Sequence, residues 1–123
     1  MPLSRIVLRL ARNPGTAFAE GDDHRGYAVV APLTPAGLID TDAWPTVRSE
    51  CAARRFAPDA DPELGRLTRH GGGWAFDFED EAVADSEPIY RLGEHPFEIG
   101  GYVTVTDHSG RAMTYKVTEV TAI

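Results

Sequence analysis

Cysteine is nearly missing from these 123 residues: Cys51 stands alone, so no internal disulfide can staple the chain. Long apolar runs are missing as well. No stretch reaches the roughly 18 consecutive apolar residues that a membrane-spanning helix requires, and Arg5, Arg9 and Arg12 interrupt the opening segment where a signal peptide would carry its apolar core. The expectation is a soluble, cytoplasmic protein in a reducing compartment, with no membrane partner. Positive charge is scarce: 12 Lys and Arg face 19 Asp and Glu, for a formal charge of −7. That balance repels phosphate backbones, and the bases are scattered along the chain, so no nucleic acid is expected as a partner. All but one of the bases are arginine, Lys116 being the exception.

What is present suits one folded domain over residues 1–123. Hydrophobic residues make up 42% and charged residues 25%, and 12 glycines with 9 prolines fall short of a disordered composition. The length is enough to bury a core without disulfides or metal.

Period-two alternation dominates the pattern. In Arg5-Ile6-Val7-Leu8-Arg9-Leu10, the residues Ile6, Leu8 and Leu10 share one face, which predicts a half-buried strand ending at Asn13-Pro14-Gly15. The polar stretch from Gly21 to Gly26 reads as a turn, and Tyr27-Ala28-Val29-Val30-Ala31, bounded by Pro32, as a buried strand. Asp40 or Asp42 can cap one short helix through Trp44 and Val47, with Pro45 tolerated in its first turn. Residues 51–57 fit a strand or a helical continuation, and a strand from about Cys51 is the expectation. Pro58 and Pro62 read as bracketing an Asp-rich turn. A hairpin then joins Leu64–Arg69 to Trp74–Phe78 through three glycines, and a second joins Tyr102–Thr106 to Ala112–Val120 through Asp107-His108-Ser109-Gly110. The fold class is mainly β (α+β): a small antiparallel β-barrel or sandwich of six or seven short strands with one short helix.

Residues 70–87, HGGGWAFDFEDEAVADSE, look the most chemical. A phosphate cradle needs its glycines at a helix N-terminus, whereas Gly71-Gly72-Gly73 lead into an aromatic strand. Neither a Walker lysine nor a G-x-G-x-x-G fingerprint is present, so no cofactor is expected. Asp77, Glu79 and Glu81 alternate like the first ligands of a calcium loop, but the sixth position is Ala82 and the twelfth is Pro88, which no EF-hand uses. The bland reading is a solvated acidic face. The functional one is a binding surface built from Asp77, Glu79, Asp80 and Glu81.

Four histidines, His24, His70, His95 and His108, all sit beside turn-forming residues, and none has metal-ligand spacing. Convergence of His24, His70 and His95 with acids on barrel loops is the one route to a metal. Cys51 has Arg48, Arg54 and Arg55 nearby, which would lower its pKa, but a lone cysteine beside Ala52 also serves as a small core filler. No serine lies in a nucleophile elbow, so no catalytic residue is assigned. Trp44, Trp74, Phe76, Phe78, Tyr90, Phe97, Tyr102 and Tyr115 are the large anchors, most of them for the core.

YAVVAPLTPAGLIDTDAW, GGGWAFDFEDE and LGEHPFEIGGYVTVTDHSGRAMTYKVTEV, in this order, resemble a set of small bacterial proteins to which no activity is assigned. The resemblance implies one intact domain and carries over no functional residue. The function expected from the sequence is therefore a non-enzymatic binding or accessory module with an acidic surface, a monomer or weak dimer meeting a basic protein surface. The alternative is a small enzyme or metal-dependent ligand binder using loop histidines and carboxylates.

Overall fold

The computed structural model describes residues 3–70, 73–78, 89–92, 96–107 and 110–123. The alternation at the N-terminus produces β1 (Leu3–Leu10), with Ile6, Leu8 and Leu10 buried and Arg5 exposed. Seven more strands follow among the described residues: β2 (Asp22–Pro32), β3 (Ala52–Ala57), β4 (Ala60–His70), β5 (Gly73–Asp77), β6 (Ile89–Leu92), β7 (Tyr102–Thr106) and β8 (Ala112–Ala122). Each pairs antiparallel with the next, and β8 returns to β1, so the sheet closes into an up-and-down barrel. Closure matters because it leaves no long strand edge with open backbone groups. The expected mainly-β antiparallel fold with one short helix is therefore what forms, as a barrel. Seven of its strands have five to eleven residues, and β6 has four.

The helix α1 (Trp44–Val47) continues into a 3₁₀ turn, Arg48–Glu50. Neither Asp40 nor Asp42 caps it, the N-cap being Ala43; Asp40 instead braces the turn leading into it, its Oδ1 accepting the N–H groups of Asp42 at 3.0 Å and Ala43 at 3.1 Å. Pro45 sits in the first turn, where its missing N–H has no partner to lose. Residues 52–57 are strand, as expected.

Two turn assignments need correction. The segment 22–26 is strand, because closing β2 onto β1 pairs Gly26 with Arg9 and, across a register shift, Asp22 with Leu10. The reversal lies earlier, where the Asn13 carbonyl accepts the Thr16 N–H and the Phe18 carbonyl accepts those of Asn13 and Gly21. Pro62, likewise, is inside β4. Arg55 pairs with Glu63 and Ala57 with Ala60, so Asp61 and Pro62 together stand opposite Phe56 in a bulge, where a residue without an N–H forfeits no ladder bond.

Up-and-down order sorts the connections between two ends. At one end the β2–β3 connection folds across the barrel: Ile39, Val47 and Cys51 join the same buried cluster as Ile6, Leu8 and Val29. Trp44 Nε1 donates to the Leu67 carbonyl at 3.3 Å, and its ring meets Trp74 edge-on at 5.3 Å. Phe97, buried in the same cluster, donates its N–H to Gly37 at 2.8 Å. That end is plugged. In the middle, Tyr27 packs on Phe76 and Phe78, with ring centroids 5.0 and 6.3 Å away.

Two glycines let the strands coil tightly enough to close. A Cβ at Gly26 would run into the Leu8 carbonyl, and one at Gly65 would meet the Asp77 carbonyl and lie 2.8 Å from Phe78 Cδ1. Overpacking against backbone that cannot yield costs about 1–3 kcal/mol. Gly26→Ala and Gly65→Ala are each expected to lower the unfolding free energy by at least that much in urea titrations, and Phe76→Ala by about 3–5 kcal/mol. Glycine variants as stable as the parent would show that the strands approach less closely.

Candidate functional site

At the other end the core stops short. Inward residues of β1, β2, β3, β7 and β8 surround a cavity of about 150 Å³ that opens to solvent. Its apolar walls are Leu10, Val105 and Met113 from the strands, with Phe18 and Phe56 at the rim. Its polar groups are Arg25, Arg55, Arg111, Asp107 and the two tyrosines Tyr27 and Tyr115.

Register places these groups. Tyr27 pairs with Arg55 across β2 and β3, and Arg55 with Glu63 across β3 and β4, so the three occupy one row of the inner face. Arg55 Nη1 lies 3.6 Å from Glu63 Oε1. Arg25 is held from two sides: Nε donates to Asp22 Oδ2 and Nη2 to Asp59 Oδ1, both at 3.1 Å. Its guanidinium also stacks over the Phe18 ring at 4.8 Å. The hydrogen bond from Arg25 holds the Asp59 carboxyl below its usual range, helped by an Asp59 backbone bond and the Arg25 charge.

The tyrosines form the floor. Their rings meet edge-on at 5.2 Å and their hydroxyls share a hydrogen bond. Burial pushes the Tyr115 phenol above its ordinary 10.0, against that hydrogen bond and the Arg55 and Arg25 charges, so it stays neutral at physiological pH. On the rim, Asp107 Oδ1 accepts the Arg111 N–H at 3.0 Å while Asp107 N–H donates to the Arg111 carbonyl at 2.9 Å. This turn projects Arg111 over the opening, and its guanidinium has no ion-pair partner among the described residues.

Asn13 fixes the remaining wall. It is the one buried polar side chain among the described residues. Its Nδ2 donates to the carbonyls of Ala11 at 2.8 Å and Thr114 at 3.1 Å, and its Oδ1 accepts the Thr114 N–H at 2.8 Å. The asparagine thus continues the β1–β8 ladder with a side chain and anchors the loop that carries Phe18.

The residues singled out from the sequence lie elsewhere. Asp77 closes β5, half-buried on the outer face opposite Arg66; Glu79, Asp80 and Glu81 lie outside the described residues. His24 is exposed near the start of β2, its N–H donating to Asp22 Oδ1 at 2.9 Å. His70 ends β4 at the far end of the barrel, so the two backbones are separated by on the order of 25 Å along the strands. His95 and His108 lie outside the described residues. Among the described residues no group of three or more His, Cys, Asp or Glu could hold a metal ion.

Cys51 is fully buried, with Sγ donating to the Val47 carbonyl at 3.4 Å. Burial, with the Glu50 charge adding to it, pushes the thiol up from 9.0 to about 11. It is a core filler: the neighbouring arginines leave no thiolate. The mouth itself went unmarked in the sequence, because none of its groups forms a local motif. The one available signal was the pair of arginines at 54 and 55 inside an otherwise alternating strand, one of which had to face inward.

Fold and site together define an antiparallel barrel plugged at one end and open at the other over a donor-rich cavity. No family model, curated protein or solved structure matches the chain. Among the described residues, no helix is long and apolar enough to cross a membrane.

Two outcomes follow from this geometry. Native protein at pH 8 should leave Cys51 unlabelled by a disulfide reagent that labels it fully once unfolded. Because the folded thiol titrates higher than the unfolded one, its contribution to stability is complete below 9.0 and fades as pH rises towards about 11. Asn13→Ala should cost about 1–3 kcal/mol in denaturant titrations, since it strands the Thr114 N–H while the Thr114 carbonyl keeps the Ala11 N–H, and it should loosen Phe18.

Proposed function

We propose that this chain is a cytoplasmic binding module without catalytic activity, and that its ligand seats in the open mouth of the barrel. The observation that carries the reading is the asymmetry of the interior: one end is filled by Ile39, Val47 and Phe97, while the other keeps a cavity of about 150 Å³ under convergent polar groups. Eight strands leave an interior that side chains can fill or that holds one small ligand, and this chain does the first at one end and the second at the other. A few placed polar groups over apolar walls are the usual make-up of a small-molecule site. The lining supplies guanidiniums, phenols and one carboxylate, which suits holding a molecule in place more than attacking one.

The test is a thermal-shift screen of small organic molecules against the protein and against Met113→Trp, whose indole would fill the mouth. A ligand at about 100 times its Kd adds about 2.7 kcal/mol of stability, a rise of several degrees for a domain of this size. Ligands that raise the midpoint of the parent and not of the variant support the reading. Ligands that act equally on both, or a screen with no hit, would refute it.

A further inference from the structure

The geometry points to the class of molecule the mouth selects: we infer a small carboxylate carrying an apolar ring, of about benzoate size. This rests on the mouth being the binding site. What the cavity offers an occupant is N–H donors. Each guanidinium offers N–H groups and no acceptor. Three of them line the cavity: Arg25 and Arg55 already meet Asp22, Asp59 and Glu63, while the Arg111 guanidinium on the rim has no ion-pair partner among the described residues.

The carboxylates that steady Arg25 lie outside the cavity lining. Asp22 and Asp59 take Nε and Nη2, which leaves the Nη1 donors for an occupant and fixes the fork before anything binds. Preorganised donors of this kind spare a ligand the cost of ordering them. At the floor, Tyr115 is held as a neutral phenol against Tyr27. An acceptor-rich group is what satisfies such a lining, and a planar carboxylate matches the Arg111 guanidinium fork with two parallel bonds, leaving Arg25 Nη1 as a single further donor.

Size and wall chemistry narrow the class further. A cavity near 150 Å³ is about what a benzene ring occupies, and Leu10, Phe18, Val105 and Met113 supply apolar contact on several sides. A bare inorganic anion would leave those walls wet. A doubly charged phosphate would also face the Asp107 carboxylate at the rim, so a single planar negative charge fits better than a tetrahedral dianion.

The experiment is an NMR titration of ¹⁵N-labelled protein with benzoate, benzyl alcohol and inorganic phosphate, repeated on Arg111→Gln. Benzoate is expected to shift the amides of Tyr27, Val105, Asp107 and Arg111 saturably, more weakly as salt is raised. Benzyl alcohol should bind at least about tenfold more weakly, and Arg111→Gln should weaken benzoate by about fivefold with little effect on the alcohol, the scale of one charge-assisted bond on an open rim. Equal binding of benzoate and benzyl alcohol, indifferent to Arg111, would overturn the carboxylate and leave the mouth as the site. Phosphate binding more tightly than benzoate would overturn the ring. If benzoate shifts nothing while a screening hit blocked by Met113→Trp does, the inference alone falls; if neither shifts the mouth amides, both readings fall. An unchanged spectrum outside the mouth confirms that Arg111→Gln is folded, and Arg111→Lys, which keeps the charge without the fork, should recover part of the benzoate affinity.

Discussion

Everything in this molecule follows from the need to fill the inside of a closed eight-stranded sheet. Closure gives every strand two paired neighbours, but it also fixes an interior volume that side chains must occupy at close-packed density. The chain meets that demand with Tyr27, Phe76 and Phe78 in the middle and with the β2–β3 connection at one end. A third set of large inward apolar residues would be needed at the other end. Instead the strands there present Arg55, Ala57 and Tyr115, and the space stays open.

Placing guanidiniums at the end of an apolar barrel is costly unless each is hydrogen-bonded or paired. The structure meets that cost by register. Antiparallel pairing puts Glu63 opposite Arg55, and the bulged start of β2 sets Asp22 three residues before Arg25, within reach of its Nε. Asp59, from the tight β3–β4 turn, takes the other side. These ion pairs are half-exposed or exposed, so each contributes little to stability. Their effect is geometric: they hold Arg25 and Arg55 in place around the tyrosine floor.

The strands were legible from alternation because each is a local pattern. β1 shows it in Ile6, Leu8 and Leu10, β5 in Phe76 and Phe78, and β7 with β8 in their β-branched residues, and all of these bury the side expected. The helix was legible from Pro45, although Asp40 braces the turn ahead of it and does not cap it. What failed locally did so at irregularities: a bulge accommodates Pro62 within β4, and the β1–β2 register shift draws Asp22 to Gly26 into the sheet. Apart from the arginine pair at 54 and 55, the mouth was not legible. Leu10, Arg25, Arg55 and Arg111 come from four separate segments, and only closure of the sheet brings them together. In the sequence Tyr27 is only one end of a short apolar run, yet its ring is the hub where the core ends and the cavity begins. Asn13 was read as a turn former, although its amide replaces a rung of the β1–β8 ladder.

A charge of −7 and an arginine-lined mouth are compatible because the two act over different distances. Exposed charges are screened beyond about 8–10 Å at physiological ionic strength. The acids spread over the outside therefore govern encounters with large, highly charged bodies and scarcely reach a small anion inside the rim. There the local dielectric is lower and each donor counts for more. Net charge read from the sequence thus argues against polyanions and says nothing about one carboxylate. For such a ligand the deciding quantity is the local balance of donors over acceptors, which is set by which residues the barrel turns inward.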